Sequence, residues 1–188
     1  MSVRTYFCGE NVRLRAVEPE DLEVLYSMEN DPASWDVSNF SVPYSRYVLR
    51  QYIAESACDI YADRQLRMMI VRQTDGEVVG TIDLTDFVPM HQRGEIGIAV
   101  RQEFRRHGYA KEALLLFCDY AFGFLHLQQL TAHVACRNEA SLQLFRSCGF
   151  ASCGVLRRWW RVEGELLDVC LMQSLAPEAE KSCLDGEK

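Results

Sequence analysis

The sequence predicts an α/β (α+β) protein, a mixed sheet of about seven strands carrying about four helices. Three observations predict it. Runs of alternating apolar and polar residues mark strands, and runs with apolar residues three and four apart mark helices. The stretch "LRMMIVRQTDGEVVGTIDLTDF" holds Asp75-Gly76 between two β-rich runs, the signal of a hairpin. A strand–helix–strand segment from Glu95 to Cys136 calls for a right-handed crossover between parallel strands.

In chain order, "NVRLRAV" alternates as a strand. "EPEDLEVLYSMEND" is a helix, with Pro19 in its first turn, acids after it, and Leu22, Leu25 and Met28 on one side. "DPASWDVSNFSVPYS" is a loop, and a second helix runs from Ser45 to Ala57. After the hairpin, "GEIGIAV" starts a strand from Glu95 to Arg101. A helix follows from Gly108 to Phe124, with Ala110, Ala113, Leu114, Phe117, Cys118 and Ala121 along one face. "QQLTAHVAC" is a strand, and "NEASLQLFRSCGF" is a helix capped by Asn138 and stopped by Gly149. "GVLRRWWRVEGELLDVCLMQSL" closes the sheet as a hairpin turning at Glu163-Gly164. In "RRWWR", Trp159 and Trp160 face opposite sides of a strand, which suits sheet packing better than a nucleic-acid patch. Residues 1–175 read as one domain, and residues 176–188 as a disordered tail.

The chain has 188 residues, 48% hydrophobic and 25% charged, as in ordinary globular proteins. No apolar run is long enough to span a bilayer, and "MSVRTYFCGENVRLR" lacks the apolar stretch of a signal peptide. A cytoplasmic protein with no membrane partner is expected. The net charge of −7 argues against nucleic acid and suits solubility. The eight cysteines include no C-x-x-C pair, and the four histidines show no metal-binding spacing, so neither a metal nor a disulfide framework is expected.

"RRHGYAKEAL", Arg105 to Leu114, gathers cations where a helix already presents its positive end. A loop feeding such a helix can wrap an anion in consecutive backbone N–H groups. Gly108 allows close approach and Ala110 keeps the first turn small, while Arg105, Arg106, His107 and Lys111 add positive field. The arrangement suits two linked phosphates. The same residues also fit a solvated basic helix start whose glycine serves only the turn.

Context distinguishes the two. The stretch follows a strand, in "EIGIAVRQEFRRHGYAKEAL", and a later strand leads into "RNEASLQLFRSCGF". With these motifs the chain resembles the GCN5-related N-acetyltransferase (GNAT) family, which binds acetyl-coenzyme A. It is most similar to the branch of spermidine acetyltransferases and ribosomal-protein N-terminal acetylases. The resemblance implies a twisted, mostly antiparallel sheet whose two parallel strands splay at the cofactor cleft. It implies acetyl transfer by direct attack of an amine, from a small molecule or a protein N-terminus, in a monomer or homo-oligomer. The backbone of Ile98, Ala99 and Val100 would pair with the pantetheine arm, and an N–H of Ile98 or Ala99 would polarise the thioester carbonyl. The pyrophosphate would lie on the amides from Arg106 through Gly108, Tyr109 and Ala110 to Lys111. Asn138, with Ser141 in the turn it opens, would touch the pantetheine arm or cap the helix.

The amine must lose a proton before it attacks. Glu95 is the first choice of base, set against a strand-edge charge facing water, and Asp83 is the reserve. Many family members protonate the leaving thiolate with a tyrosine four residues before the Gly-Phe glycine. Phe145 stands there and has no proton to give. Tyr109, Cys148 or a water can replace it, the thiolate can leave unaided, or the chain binds the cofactor without efficient catalysis. The last reading makes a non-catalytic acyl-CoA sensor the rival. Trp35, Phe40 and Tyr44 are candidates for the acceptor pocket. The acidic pair that spermidine enzymes carry before Pro-Tyr is replaced by Ser41 and Val42.

Overall fold

The computed structural model describes residues 6–31, 43–56 and 59–177. Seven strands form one sheet in the order β1-β2-β3-β4-β5-β7-β6. They are β1 (Val12–Ala16), β2 (Leu66–Arg72), β3 (Val78–Val88), β4 (Arg93–Val100), β5 (Gln129–Ala135), β6 (Ala151–Val162) and β7 (Glu165–Leu175). The helices are α1 (Leu22–Glu29), α2 (Arg46–Glu55), α3 (Ile60–Asp63), α4 (Tyr109–Gly123) and α5 (Glu139–Ser147). All neighbouring strands are antiparallel except β4 and β5, the parallel pair expected on either side of the crossover.

Every strand and long helix read from the pattern is present, with ends shifted by a few residues. β4 starts earlier, at Arg93, and the helix expected to begin at Gly108 begins one residue later, with Gly108 as its cap. The four-residue α3 escaped the pattern, because one turn carries no helical period.

The sheet separates two apolar layers. On one face, Ala113, Leu114, Phe117 and Ala121 of α4 and Leu142 and Phe145 of α5 pack on Ile82, Leu84, Ile96, Leu130 and Met172. On the other, Leu25 of α1 and Leu49 of α2 pack on Met69, Val71 and Val78. α1 and α2 thus cover the β1–β3 half of their face. Strand alternation turns Glu95 and Gly97 to that same face and sends Ile96 into the core opposite.

The last hairpin is less embedded. No residue of β6 is buried, and Trp159 is 58% exposed, so it does not pack on the sheet as expected. The strict alternation assumed there fails at a register irregularity between Leu156 and Trp160, where Arg158 takes φ 52°. Ala176, just past β7, is buried and donates its N–H to Gln128 O at 2.9 Å. Among the described residues no helix is long and apolar enough to cross a membrane.

Candidate active site

The parallel pair forks. β4 and β5 share the register Arg93–Gln129, Gly94–Leu130 and Glu95–Thr131, and their pairing ends there. Beyond Glu95, β4 continues to Val100 paired only with β3, while β5 continues to Ala135 paired only with β7. The Arg101 N–H donates to Val79 O, so by alternation Ala99 pairs with Thr81 of β3. Ile98 and Val100 turn their backbone groups to the opening, as the strand-addition role demands, and Ala99, expected there too, does not.

The fork leads to the start of α4. Arg106 has φ 66° and Gly108 φ 84°, both left-handed. Such positive φ at an arginine is uncommon and marks a turn the surroundings enforce. The first bond inside the helix runs from the Glu112 N–H to Gly108 O at 3.1 Å, and no side chain caps the turn. The N–H groups of Tyr109, Ala110 and Lys111 thus keep free donors, the electropositive end an anion seeks. A Cβ built on Gly108 would meet nothing within 4 Å, so the space over this turn is open. The free amides, open turn and unpaired strand edge fit a diphosphate with an extended amide-bearing arm.

The basic side chains around the turn do not all face it. Arg105 folds back, its Nε donating to Val100 O at 2.9 Å, which occupies one carbonyl of the proposed pantetheine edge. His107 and Tyr109 stack at 5.6 Å. The Asp75 carboxylate, and after it the Tyr109 hydroxyl, hold the Arg72 guanidinium above its ordinary range. Asn138 caps α5, its Oδ1 accepting the Ser141 N–H at 3.1 Å. Phe145 is 3% exposed and meets Phe150 edge to face at 5.0 Å. Cys148 lies against Lys111 O at 3.9 Å, and burial pushes its thiol pKa up, so it keeps its proton.

On the acceptor face, Glu95 and Asp83 share one side of the sheet. Asp83 stands opposite Gly97, and Glu95 opposite Thr85. Their surroundings differ. Asp83 accepts from Arg67 Nε at 2.5 Å, and Arg67 also grips Glu29. Burial works against this guanidinium's charge, but Asp83 and Glu29 outweigh it and hold the proton firmly. Glu95 instead lies 2.9 Å from His133 Nδ1. Motif spacing gave no hint of His133, because the partnership depends on the β4–β5 register. A Cβ added to Gly97 would also meet nothing within 4 Å, so the floor between these groups is open.

Beside this floor, a cavity of about 250 Å³ is lined by Glu29, Tyr44, Tyr52, Arg67, Asp83 and Thr85 among others. Tyr44, one of the acceptor-pocket candidates, is brought to it. Trp35 and Phe40 lie outside the described residues, as do Ser41 and Val42. Among the described residues, no three His, Cys, Asp or Glu side chains cluster as a metal site would.

The family model described as "Acetyltransferase (GNAT) domain" matches residues 11–151. An uncharacterized N-acetyltransferase of Bacillus licheniformis, p20, is 30% identical over 171 residues, 90% of this chain and 95% of the relative. The spermidine N(1)-acetyltransferase of Escherichia coli K12 is 29% identical over 180 residues, covering 94% of this chain and 87% of its own. A crystal structure of spermidine N-acetyltransferase from Vibrio cholerae, in complex with CoA and spermine, superposes with a TM-score of 0.81 at 24% identity, over 90% of this chain and 98% of that one. With the forked strands and open helix start already in place, these matches close the question of kinship: the chain belongs to the GNAT acetyltransferase family and is an acetyl-CoA-dependent N-acetyltransferase.

Proposed function

We propose that the chain acetylates a primary amine of a small, polyamine-like acceptor by direct attack. The observation that carries this is the fork after Glu95–Thr131, which opens beside a face where the described residues place three carboxylates, Glu29, Asp83 and Glu95, and the guanidinium of Arg67. Such a face favours a cationic acceptor. The relatives named as spermidine acetyltransferases support the same class. The 250 Å³ cavity beside Gly97 suits a slender chain better than a folded N-terminus.

In this reading, acetyl-CoA supplies an activated acyl group. The amides of residues 106–111 and Lys111 bind the diphosphate, and the β4 edge at Ile98–Val100 orients the arm. The Ile98 N–H, on the edge that β3 leaves free, meets the carbonyl oxygen as negative charge grows on it. The Asn138 Oδ1 serves the helix cap, which leaves its Nδ2 for the arm. Of the two candidate carboxylates, Glu95 serves the proton-removal step, directly or through a neighbouring group, since Asp83 is held by Arg67. Phe145 forms an apolar wall with Phe150 and gives no proton, so the sulfur leaves as thiolate or takes its proton from the attacking nitrogen or water. The test is a free-thiol assay with acetyl-CoA against polyamines, simple alkylamines and short peptides. Thiol release led by polyamines supports the reading. Release led by peptides moves the acceptor to protein N-termini, and tight acetyl-CoA binding without turnover supports the sensor.

A further inference from the structure

We propose that His133 is the general base of this reaction, with Glu95 acting through it as the orienting carboxylate; this rests on the acetyltransfer reading above. Three observations meet at His133. It belongs to β5 just beyond the fork, and continuing the Glu95–Thr131 register past that point sets it level with Gly97. Its neighbours Ala132 and Val134 are buried on the opposite face, so its side chain stands on the acceptor face. Its Nδ1 is 2.9 Å from Glu95 Oε1, with the imidazole 21% exposed.

The close approach sets the chemistry. A carboxylate accepts only, so Nδ1 is the ring nitrogen that carries the proton beside it, and the neutral ring then has its lone pair on Nε2. No described residue takes that nitrogen. This is the nucleophile–base–orienter arrangement with an amine as nucleophile. The other ionisable groups near the ring are few among the described residues. β4 offers Glu95. β7 offers Leu171 and Gln173, which do not titrate, and β6 offers Cys153, whose thiol is bound to Gln173 Oε1 at 3.4 Å. Across the Gly97 floor, β3 offers Asp83, already paired with Arg67 of β2. Among the described residues, the charge that forms on the ring therefore finds the Glu95 carboxylate beside it, while Arg67 is tied to Asp83 and Glu29.

The protons balance as follows. An ammonium reaching the Gly97 floor gives one proton to Nε2, leaving a free amine and an imidazolium held by Glu95. The amine lone pair forms the C–N bond at the thioester carbon. The C–S bond then breaks and its electron pair leaves on sulfur. The nitrogen's second proton goes to that sulfur, directly or through water, and the imidazolium returns the first to solvent. Products are the amide, the free thiol and one proton.

The experiment compares wild type, His133→Ala, His133→Gln and Glu95→Gln by thiol release across pH, with acetyl-CoA affinity measured in parallel. Glutamine keeps an N–H for Glu95 and so preserves the fold, but it cannot take a proton. Expected is a fall in kcat of about 100-fold or more in both His133 variants. Acetyl-CoA affinity should change by less than about twofold, because the loss lies in the chemical step. The acid limb of kcat/KM should disappear in both variants, added imidazole should restore part of the rate to His133→Ala, and Glu95→Gln should show an intermediate loss. A folded His133 variant with wild-type kcat and pH profile overturns the relay and leaves acetyl transfer standing. A wild type that releases no thiol with any amine overturns the acetyltransfer reading and the relay with it, so the two failures are read on different proteins.

Discussion

The Glu112 carboxylate accepts the Asn11 backbone N–H at 2.8 Å and the Asn11 Nδ2 at 3.0 Å, tying the first turn of α4 to the start of β1 across 101 positions of sequence. The turn proposed to receive the diphosphate is thereby fixed to the sheet edge. Burial raises this carboxyl's pKa, but the Asn11 side chain and the amides of Asn11 and Val12 lower it more, so the net shift is downward. A depressed carboxylate stabilises the fold above its unfolded titration range and loses that contribution as pH falls through its folded value. Glu112→Ala should cost about 1–2 kcal/mol at neutral pH, measured by urea denaturation. The gap to wild type should narrow as pH falls below the ordinary carboxylate range. A gap that persists unchanged in acid would mean the carboxylate's charge plays no part.

Gly108→Asp should abolish acetyl-CoA binding while the protein stays folded. The open space around a Cβ at this position removes any internal clash, leaving a left-handed strain of about 1–2 kcal/mol and a carboxylate set against the phosphates. Calorimetric titration with acetyl-CoA and a thermal melt check both halves. Unchanged affinity in a folded variant would remove the helix start from the site.

Arg67 joins α1 to the sheet by gripping Glu29 and Asp83, all three largely shielded from solvent. Arg67→Met should destabilise by about 3–5 kcal/mol at neutral pH, because two carboxylates lose the guanidinium they share. Thermal melts of both proteins at neutral pH give the comparison, and a deficit below about 1 kcal/mol would contradict it.

Phe145→Tyr should keep or raise kcat if the position faces the thiol as the family pattern implies, and it should lower thermal stability. The ring is almost fully buried against Phe150, and a hydroxyl left there without a partner costs about 1–3 kcal/mol. Thiol-release kinetics beside a melt separate the two effects. A large drop in kcat with a wild-type melting temperature would mean that the pocket is organised differently.

Local pattern made most of the fold legible. Asp75-Gly76, the apolar stripe from Ala113 to Ala121 and the Asn138 cap each depend on neighbours within a few residues, and each stands where the pattern put it. Gly108 and Glu95 were legible as site candidates because a helix start and a strand edge are local features. His133 was not. A lone histidine on a strand carries no motif, and its tie to Glu95 exists only after β4 and β5 align in parallel across the crossover. The same holds for Arg67, whose two carboxylates lie 38 residues before it and 16 after. Trp159 misled for a related reason, since a bulge at Arg158 overrides simple alternation.

The most direct measurement is a crystal structure of the protein soaked with acetyl-CoA. The diphosphate should lie within hydrogen-bond reach of the amides from residues 108 to 111. The pantetheine arm should run between β4 and β5 beyond Glu95, with the thioester above Gly97 facing His133. Density for the ligand elsewhere, with this fork and helix start empty at saturating concentration, would contradict the account.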